Sequence, residues 1–440
     1  MTEKIDGYEQ DTTKFIQNAQ VNGKTQDIFI DAKGLIQAIG PDIRKEFRGQ
    51  AECIIDASGM VAIPGLVNTH THAAMSLLRG YADDMHLQEW LSEKIWPLEA
   101  HLTGEDVYWG TKLACIEMIR SGTTAFNDMY FFMNDAARAV DEAGIRATFC
   151  HGFIDFDSPE KREAEMAATK DLVHHIKSLN NPRLKAAVGP HAPYTVSREG
   201  LEWCAEFSKT EDVMLHIHLS ETESEVAGCM EKHHMRPAAL LETCGCLSER
   251  TLAAHCCWLD DEECRLLGSR GVSVAHNPSS NMKLAVNRAL PYGALKEAGV
   301  NITLGTDGCS SNNNLDMLEE MKFAALLQKF FWNSDTLLPA EEALAMATTN
   351  GAKAMGIPTG AIQIGRPADI VFIDAKHPTM IPMHNGVSNI VYSCTGGAVD
   401  TVICDGRILM ADKCIPGEYE ILEKAQEVAT DLVARANTPK

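Results

Sequence analysis

Eight short stretches of continuous apolar character recur along the chain, each closing on polar residues. In order they read "MVAIPGLVNTH", "TTAFND", "IRATFCHG", "LKAAVGPH", "DVMLHIHLSE", "TLAAHC", "GVSVAHN" and "VNITLGTD". Runs without alternation are the pattern of strands buried on both faces, as in a parallel sheet covered by helices. Helix signals fill the intervals. "LTGEDVYWGTKLACIEMIRSG" opens with Thr103 and Asp106 in capping-box spacing and closes at Gly122. "LPAEEALAMATTNGAKAMG" places Pro339 at the first helical position after the eighth run. Strand and helix alternating eight times predict an α/β fold, a (β/α)8 TIM-like barrel over residues 61–360.

The flanks carry a different period. "QDIFIDAKGLIQAIG" and "ECIIDASGM" before the barrel, and "ADIVFIDAKHP", "NIVYSC" and "VDTVICDGRILM" after it, read as short strands and turns. Turn residues at Lys33–Gly34 and Asp405–Gly406 support hairpins. Residues 1–60 and 361–440 are therefore expected to build one small β-sandwich domain from both chain ends, with a terminal helix.

An apolar fraction of 45% places the chain among globular proteins, and a net charge of −22 repels phosphate backbones, so nucleic acid is not an expected partner. No apolar run is long enough to span a bilayer, and "MTEKIDGYEQDTTKFIQ" lacks the basic and apolar regions of a secretory signal. A cytoplasmic protein without a membrane partner is expected. The 14 cysteines include no Cys-x-x-Cys pair and read as reduced, buried small hydrophobes.

The strand ends carry the chemistry. Taken in order they are His70/His72, Asp128, His151, His191, His218, His255, His276 and Asp307. In a (β/α)8 enzyme these ends form the active-site face. His70 and His72, two apart, share one face of a strand and can hold one metal ion. His218 and Asp307 complete a set of three imidazoles and one carboxylate suited to Zn²⁺ or Fe²⁺ with a place left for water. His216 shares a face with His218 and competes for that role. Glu221, three residues past His218, can reach a substrate nitrogen, and His255 can orient the water, whose pKa a metal lowers from about 15.7 toward 7. Asp128 and His276 read as supporting residues, and the pairs His174–His175 and His233–His234 as solvated.

Taken together, "PGLVNTHTHAAMSLLRGYADDMHLQEWLSEKIWPLEAHLT", "GPHAPYT", "HIHLSET", "AAHC", "HNPSSNMKLA" and "LGTDGCSSNNNLDM" resemble the amidohydrolase superfamily, and within it the 5-methylthioadenosine/S-adenosylhomocysteine deaminases. The resemblance implies one divalent metal, Zn²⁺ or Fe²⁺, on His70, His72, His218 and Asp307, which selects His218 over His216. A single metal is implied because the end of the fourth strand, "VGPHAPY", carries His191, where two-metal relatives place a carboxylated lysine. It further implies Glu221 as the proton shuttle that meets purine N1, His255 as a helper of water activation, Glu99 on the ribose hydroxyls and His191 on the substrate. Self-association into a homo-oligomer is implied as well.

Where many such deaminases carry an arginine just after the third strand, this chain has His151. Histidine lacks the bidentate fork that holds a carboxylate, so S-adenosylhomocysteine is expected to be the poorer substrate, with methylthioadenosine, adenosine and 5′-deoxyadenosine less affected. The expected reaction is hydrolytic deamination of an adenine nucleoside by metal-activated water. Asp307 takes the water's proton, and Glu221 serves N1 and the departing ammonia. The alternatives are a guanine-type base deaminase, a triazine chlorohydrolase, or a non-catalytic scaffold, the last disfavoured by the complete ligand set.

Overall fold

The computed structural model describes residues 12–85 and 87–438. Met1–Asp11, the first part of the stretch searched for a signal, lie outside the described residues. In chain order the strands are β1 (Lys14–Val21), β2 (Lys24–Ile30), β3 (Ile36–Gly40), β4 (Cys53–Asp56), β5 (Met60–Pro64), β6 (Leu66–Thr71), β7 (Thr123–Tyr130) and β8 (Arg146–Phe153). There follow β9 (Leu184–Pro190), β10 (Met214–Leu219), β11 (Thr251–His255), β12 (Ser273–His276), β13 (Asn301–Leu304), β14 (Ile370–Asp374), β15 (Val399–Cys404) and β16 (Arg407–Met410).

β6 to β13 pair in sequence order and in parallel, with helices in the crossovers, and these are the eight apolar runs. The barrel closes between β13 and β6 through side-chain contacts and a backbone hydrogen bond. The Thr69 and Thr303 hydroxyls meet at 2.7 Å, Asn68 Nδ2 donates to Thr306 Oγ1 at 2.7 Å, and Asp307 N–H donates to His70 O at 2.9 Å. Gly305 permits that approach, because a Cβ there would lie 2.7 Å from the His70 nitrogen. The seam thus sets two of the expected metal ligands side by side.

The remaining eight strands form one connected sheet, ordered β16-β15-β14-β5-β1-β2-β3 with β4 on β1, and so contributed by both chain ends. The first apolar run is not one strand. It divides at Gly65, where Met60–Pro64 pairs with β14 and Leu66–Thr71 with β7. A side chain at Gly65 would meet Thr124 Oγ1 at 2.0 Å, so the chain can pass between the two sheets only with glycine there. Asp405 and Gly406, both at positive φ (53° and 74°), form the tight turn between β15 and β16.

Thr103 and Asp106 cap the helix Gly104–Arg120 in both directions. The terminal helix Glu418–Ala436 packs on it, with Arg435 Nη2 2.7 Å from Asp106 Oδ1. Pro339 precedes its helix as the cap residue rather than entering it, and the helix Met317–Phe331, capped by Asp316, comes first after β13. Among the described residues no helix is long and apolar enough to cross a membrane.

One buried ion cluster ties the sheet to the barrel. Arg146, at the start of β8, places Nε 2.8 Å from Asp369 Oδ2 and Nη2 2.6 Å from Asp405 Oδ1, and Asp369 is wholly buried. Removing the cation strands that carboxylate, so Arg146→Met is expected to cost about 3–5 kcal/mol, read from the urea midpoint. A loss below about 1 kcal/mol would mean that Asp369 is satisfied without it.

Candidate functional site

The C-terminal ends of the barrel strands converge on a cavity. His70, His72, His191, His218, Glu221, His255 and Asp307 all come together there. Asp307 Oδ1 lies 3.3 Å from His70 Nε2 and 3.2 Å from His72 Nε2, and the Nε2 atoms of His72 and His218 are 3.3 Å apart.

The opposite ring nitrogens settle what these contacts are. His72 Nδ1 faces Met129 O at 2.6 Å and His218 Nδ1 faces His191 O at 2.6 Å. A carbonyl only accepts, so each Nδ1 carries a hydrogen, and in the neutral ring each Nε2 keeps a lone pair. His216 Nδ1 donates to Leu252 O (3.0 Å), which leaves its Nε2 to accept from His70 Nδ1–H at 2.8 Å. His216 is therefore committed behind His70. His70 Nε2, fully buried, has no hydrogen-bond partner.

In the metal-free chain His72, despite its burial, is raised to about 9 by Asp307; with all three rings neutral, three imidazole lone pairs and a carboxylate oxygen face one another. Such a group repels itself unless a cation sits among it. Four ligands around a tetrahedral zinc at about 2.0–2.1 Å stand about 3.3 Å from one another, close to the His70–Asp307, His72–Asp307 and His72–His218 separations. The donor set fits a divalent metal ion.

The backbone is bent to achieve this. Ser220, His255 and Asp307 adopt positive φ (49°, 70° and 64°), a costly conformation for non-glycine residues that clusters at functional sites. Around Asp307 the cost is met by hydrogen bonds: Gly308 N–H donates to Oδ1 (2.9 Å), while Ser280 and Ser311 hydroxyls donate to Oδ2 (2.7 and 3.1 Å). Glu225 performs the same service for Glu221. Its two oxygens accept from the backbone N–H groups of Ser220 and Glu221, both at 2.8 Å.

Burial, reinforced by the nearby Asp307 charge, pushes the Glu221 carboxyl up to about 8 in the metal-free chain. Burial pushes His255 down to about 4 and His191 down to about 3, so both rings are neutral at pH 7.

Farther from the lone-pair cluster, Glu99 lines the cavity and accepts from the Tyr130 hydroxyl at 2.6 Å. Burial raises its carboxyl to about 7 against the lowering effects of Tyr130 and His72. Trp90, Leu91, Trp96, Phe131 and Ile154 supply apolar walls, and no lysine or arginine lines the cavity among the described residues.

Three strand-end residues lie elsewhere. His151 turns away from the cavity lining and pairs through Nε2 with Glu165 Oε2 at 2.5 Å, on the helix Pro159–Ser178; β8 presents Gly152 to the cavity instead. His276 faces Gln328 of the helix Met317–Phe331 at 3.4 Å. Asp128 lies beneath the site, accepting from Thr71 Oγ1 and Ala73 N–H at 2.9 and 2.7 Å, and so shapes the turn that carries His72. Tyr130, Glu225 and Tyr194, which also lines the cavity, were not expected. A signal for Glu225 did exist, since Thr222 and Glu225 have capping-box spacing.

The family model described as "Amidohydrolase family" matches residues 61–409. The chain is 63% identical over 437 residues to the 5′-deoxyadenosine deaminase of Methanoregula boonei, with 99% of each covered. It is 51% identical over 390 residues to the 5-methylthioadenosine/S-adenosylhomocysteine deaminase 1 of Archaeoglobus fulgidus, covering 88% of this chain and 92% of that protein. Among solved structures, an adenosine deaminase from Xanthomonas campestris with bound zinc matches at a TM-score of 0.90 and 33% identity, over 96% of this chain and 98% of that one. With a family model spanning most of its length and relatives aligned nearly end to end, this chain belongs to the amidohydrolase family.

Proposed function

We propose that this protein hydrolytically deaminates adenine nucleosides with small apolar 5′ groups, giving the hypoxanthine nucleoside and ammonia. The observation that carries the reading is one cavity with the lone-pair cluster and Glu221 at one end and the Glu99–Tyr130 pair farther out. Relatives named 5′-deoxyadenosine deaminase and 5-methylthioadenosine/S-adenosylhomocysteine deaminase 1 support the deamination of adenine nucleosides.

His70, His72, His218 and Asp307 would hold one divalent ion, with Zn²⁺ favoured by the three-imidazole set and by the zinc-bound structural relative. When bound, that ion supplies a water acidic enough to attack at neutral pH. Every other task falls to the chain. Asp307 receives the proton of the attacking water. Glu221, protonated near neutrality by its burial, delivers a proton to N1 as the water oxygen bonds to C6 and the C6–N1 π bond opens; the C6–N6 bond breaks afterwards, when the amino group has taken a proton and C6 becomes a carbonyl. Of the two water hydrogens, one ends on N1 and the other on the departing ammonia, relayed by Asp307 and Glu221. His191 and the apolar walls hold the base and exclude bulk water.

Tyr130 occupies one lone pair of Glu99 and leaves the rest for the vicinal ribose hydroxyls. Glu99→Gln is expected to raise KM for nucleosides about 10²-fold with a smaller change in kcat. The sign with pH follows from the raised carboxyl: below about 7 Glu99 gains a proton and loses acceptor capacity, so 1/KM falls as pH drops. That acid limb vanishes in the variant. Unchanged KM would remove the ribose role.

The absence of a lysine or arginine from the cavity lining, with His151 engaged by Glu165, argues against a charged 5′ substituent. The test is ammonia release by the zinc-loaded chain from 5′-deoxyadenosine, methylthioadenosine, adenosine, S-adenosylhomocysteine and guanine. Methylthioadenosine and 5′-deoxyadenosine are expected to exceed S-adenosylhomocysteine in kcat/KM by about 10-fold or more. Guanine turnover alone, or none, overturns the nucleoside reading. Cytoplasmic operation, which 14 unpaired cysteines support, and self-association belong to the same proposal; light scattering on the purified chain tests the latter.

A further inference from the structure

The turn that follows β12 reaches the site from below. Asn277 Oδ1 accepts from the His255 backbone N–H at 3.2 Å, and its Nδ2 donates to Gly305 O at 2.9 Å. In the short helix Pro278–Lys283, Ser280 donates to Asp307 and the next residue, Asn281, turns its carboxamide to the His255 ring. Asn281 Nδ2 lies 2.9 Å from His255 Nδ1, and its Oδ1 lies 3.2 Å from Cys257 Sγ. Both residues are buried.

The thiol decides which way the amide points. Burial holds Cys257 well above the usual thiol range, so the sulfur keeps its one hydrogen, and Asn281 Oδ1 at 3.2 Å is a nearer acceptor for it than His255 O at 3.7 Å. With Oδ1 so engaged, the amide N–H faces His255 Nδ1, which therefore accepts. A neutral imidazole that accepts at Nδ1 carries its hydrogen on Nε2. That nitrogen is on the side of Asp307, 4.0 Å from Oδ2.

We infer that Asn281 is a positioning residue that holds His255 with its hydrogen on Nε2, so that His255 donates a hydrogen bond to the oxygen attacking C6 and does not act as its base. This rests on the nucleoside reading above. The water proton then has Asp307 as its acceptor, and His255 keeps its own hydrogen throughout. The Asn277 contact to the His255 backbone and the Asn281 contact to its ring together fix both the strained main chain and the tautomer. A wrong tautomer in an otherwise intact catalytic site is among the costlier single errors, on the order of 10²–10⁴ in kcat.

The experiment is NMR of the metal-loaded full chain labelled with ¹⁵N-histidine, His255 being assigned by the signal lost in His255→Asn. The wild type is expected to show the His255 hydrogen on Nε2. Asn281→Asp, a same-shaped side chain that only accepts, should move it to Nδ1 and lower kcat for 5′-deoxyadenosine about 10²-fold or more, with KM and metal content within about threefold. A hydrogen on Nδ1 in the wild type, an unmoved hydrogen in the variant, or an unchanged kcat after it has moved would each overturn the inference. The wild-type spectrum alone decides the tautomer if the variant does not fold. A wild type that releases no ammonia from any adenine nucleoside overturns the nucleoside reading, while the spectrum still judges Asn281.

Discussion

A chain carrying His218→Asn is expected to purify with only a small fraction of the wild-type metal and to lose at least about 10⁴-fold in kcat. His218 brings one lone pair to the cluster, and its ring is aimed by the 2.6 Å contact between Nδ1 and His191 O. Asparagine is shorter and cannot satisfy that carbonyl and reach the cluster at once. Without the ion, water at C6 has the acidity of bulk water, a handicap of several pKa units in nucleophile supply. Removing metal from the wild type with a chelator should give the same loss, and added Zn²⁺ should reverse it there but not in the variant. Metal analysis alongside ammonia release separates the cases. Full activity with full metal content would remove His218 from the ligand set, whereas His216→Asn should weaken metal binding only indirectly, about 10–100-fold, through the orientation of His70.

Glu221→Gln should leave metal content unchanged and lower kcat by about 10²–10⁴, the range of a positioned acid–base group. Glutamine has the same shape and keeps the backbone contacts to Glu225, so the loss reports the missing proton and not a collapsed loop. The pH profile gives the sharper readout. Because burial raises the Glu221 carboxyl above the ordinary glutamate value, its proton persists to neutral pH and is lost as pH rises. Wild-type kcat should therefore fall along a basic limb, and the residual rate of Glu221→Gln should lack it. A variant that keeps that limb would assign the titration to another group. A loss in KM alone, with kcat intact, would make Glu221 a binding residue only.

How far the chain order discloses all this depends on which forces are local. The eight barrel strands are legible because strands covered on both sides must be apolar throughout, and "VMLHIHL" or "VSVAH" has no other use for such a run. The cap at Thr103 and Asp106 and the turn at Asp405–Gly406 are legible for the same reason: each contact lies within a few residues. So is the location of the chemistry, since a barrel's strand ends are its active face.

What the chain order leaves open is which way each of those ends points. Strand alternation relates His216 to His218 and His70 to His72, yet it carries no absolute phase. Pairing in the closed barrel supplies it, sending His151 to Glu165 and His276 to Gln328 while His191 and His255 face the cavity. What separates His216 from His218 is likewise a carbonyl of β11, because the Leu252 contact commits His216 to accept from His70. Tyr130 and Glu99 meet only after the segment following β6 folds back over the barrel mouth, and Gly65 is a boundary only once Thr124 lies against it. The sequence by itself determined the strands, their order and the residues at their ends, because hydrophobic burial and turn chemistry are written in neighbouring positions. Only the tertiary structure decided which of those residues face one another, because that follows from barrel closure between β13 and β6, segments more than 200 residues apart.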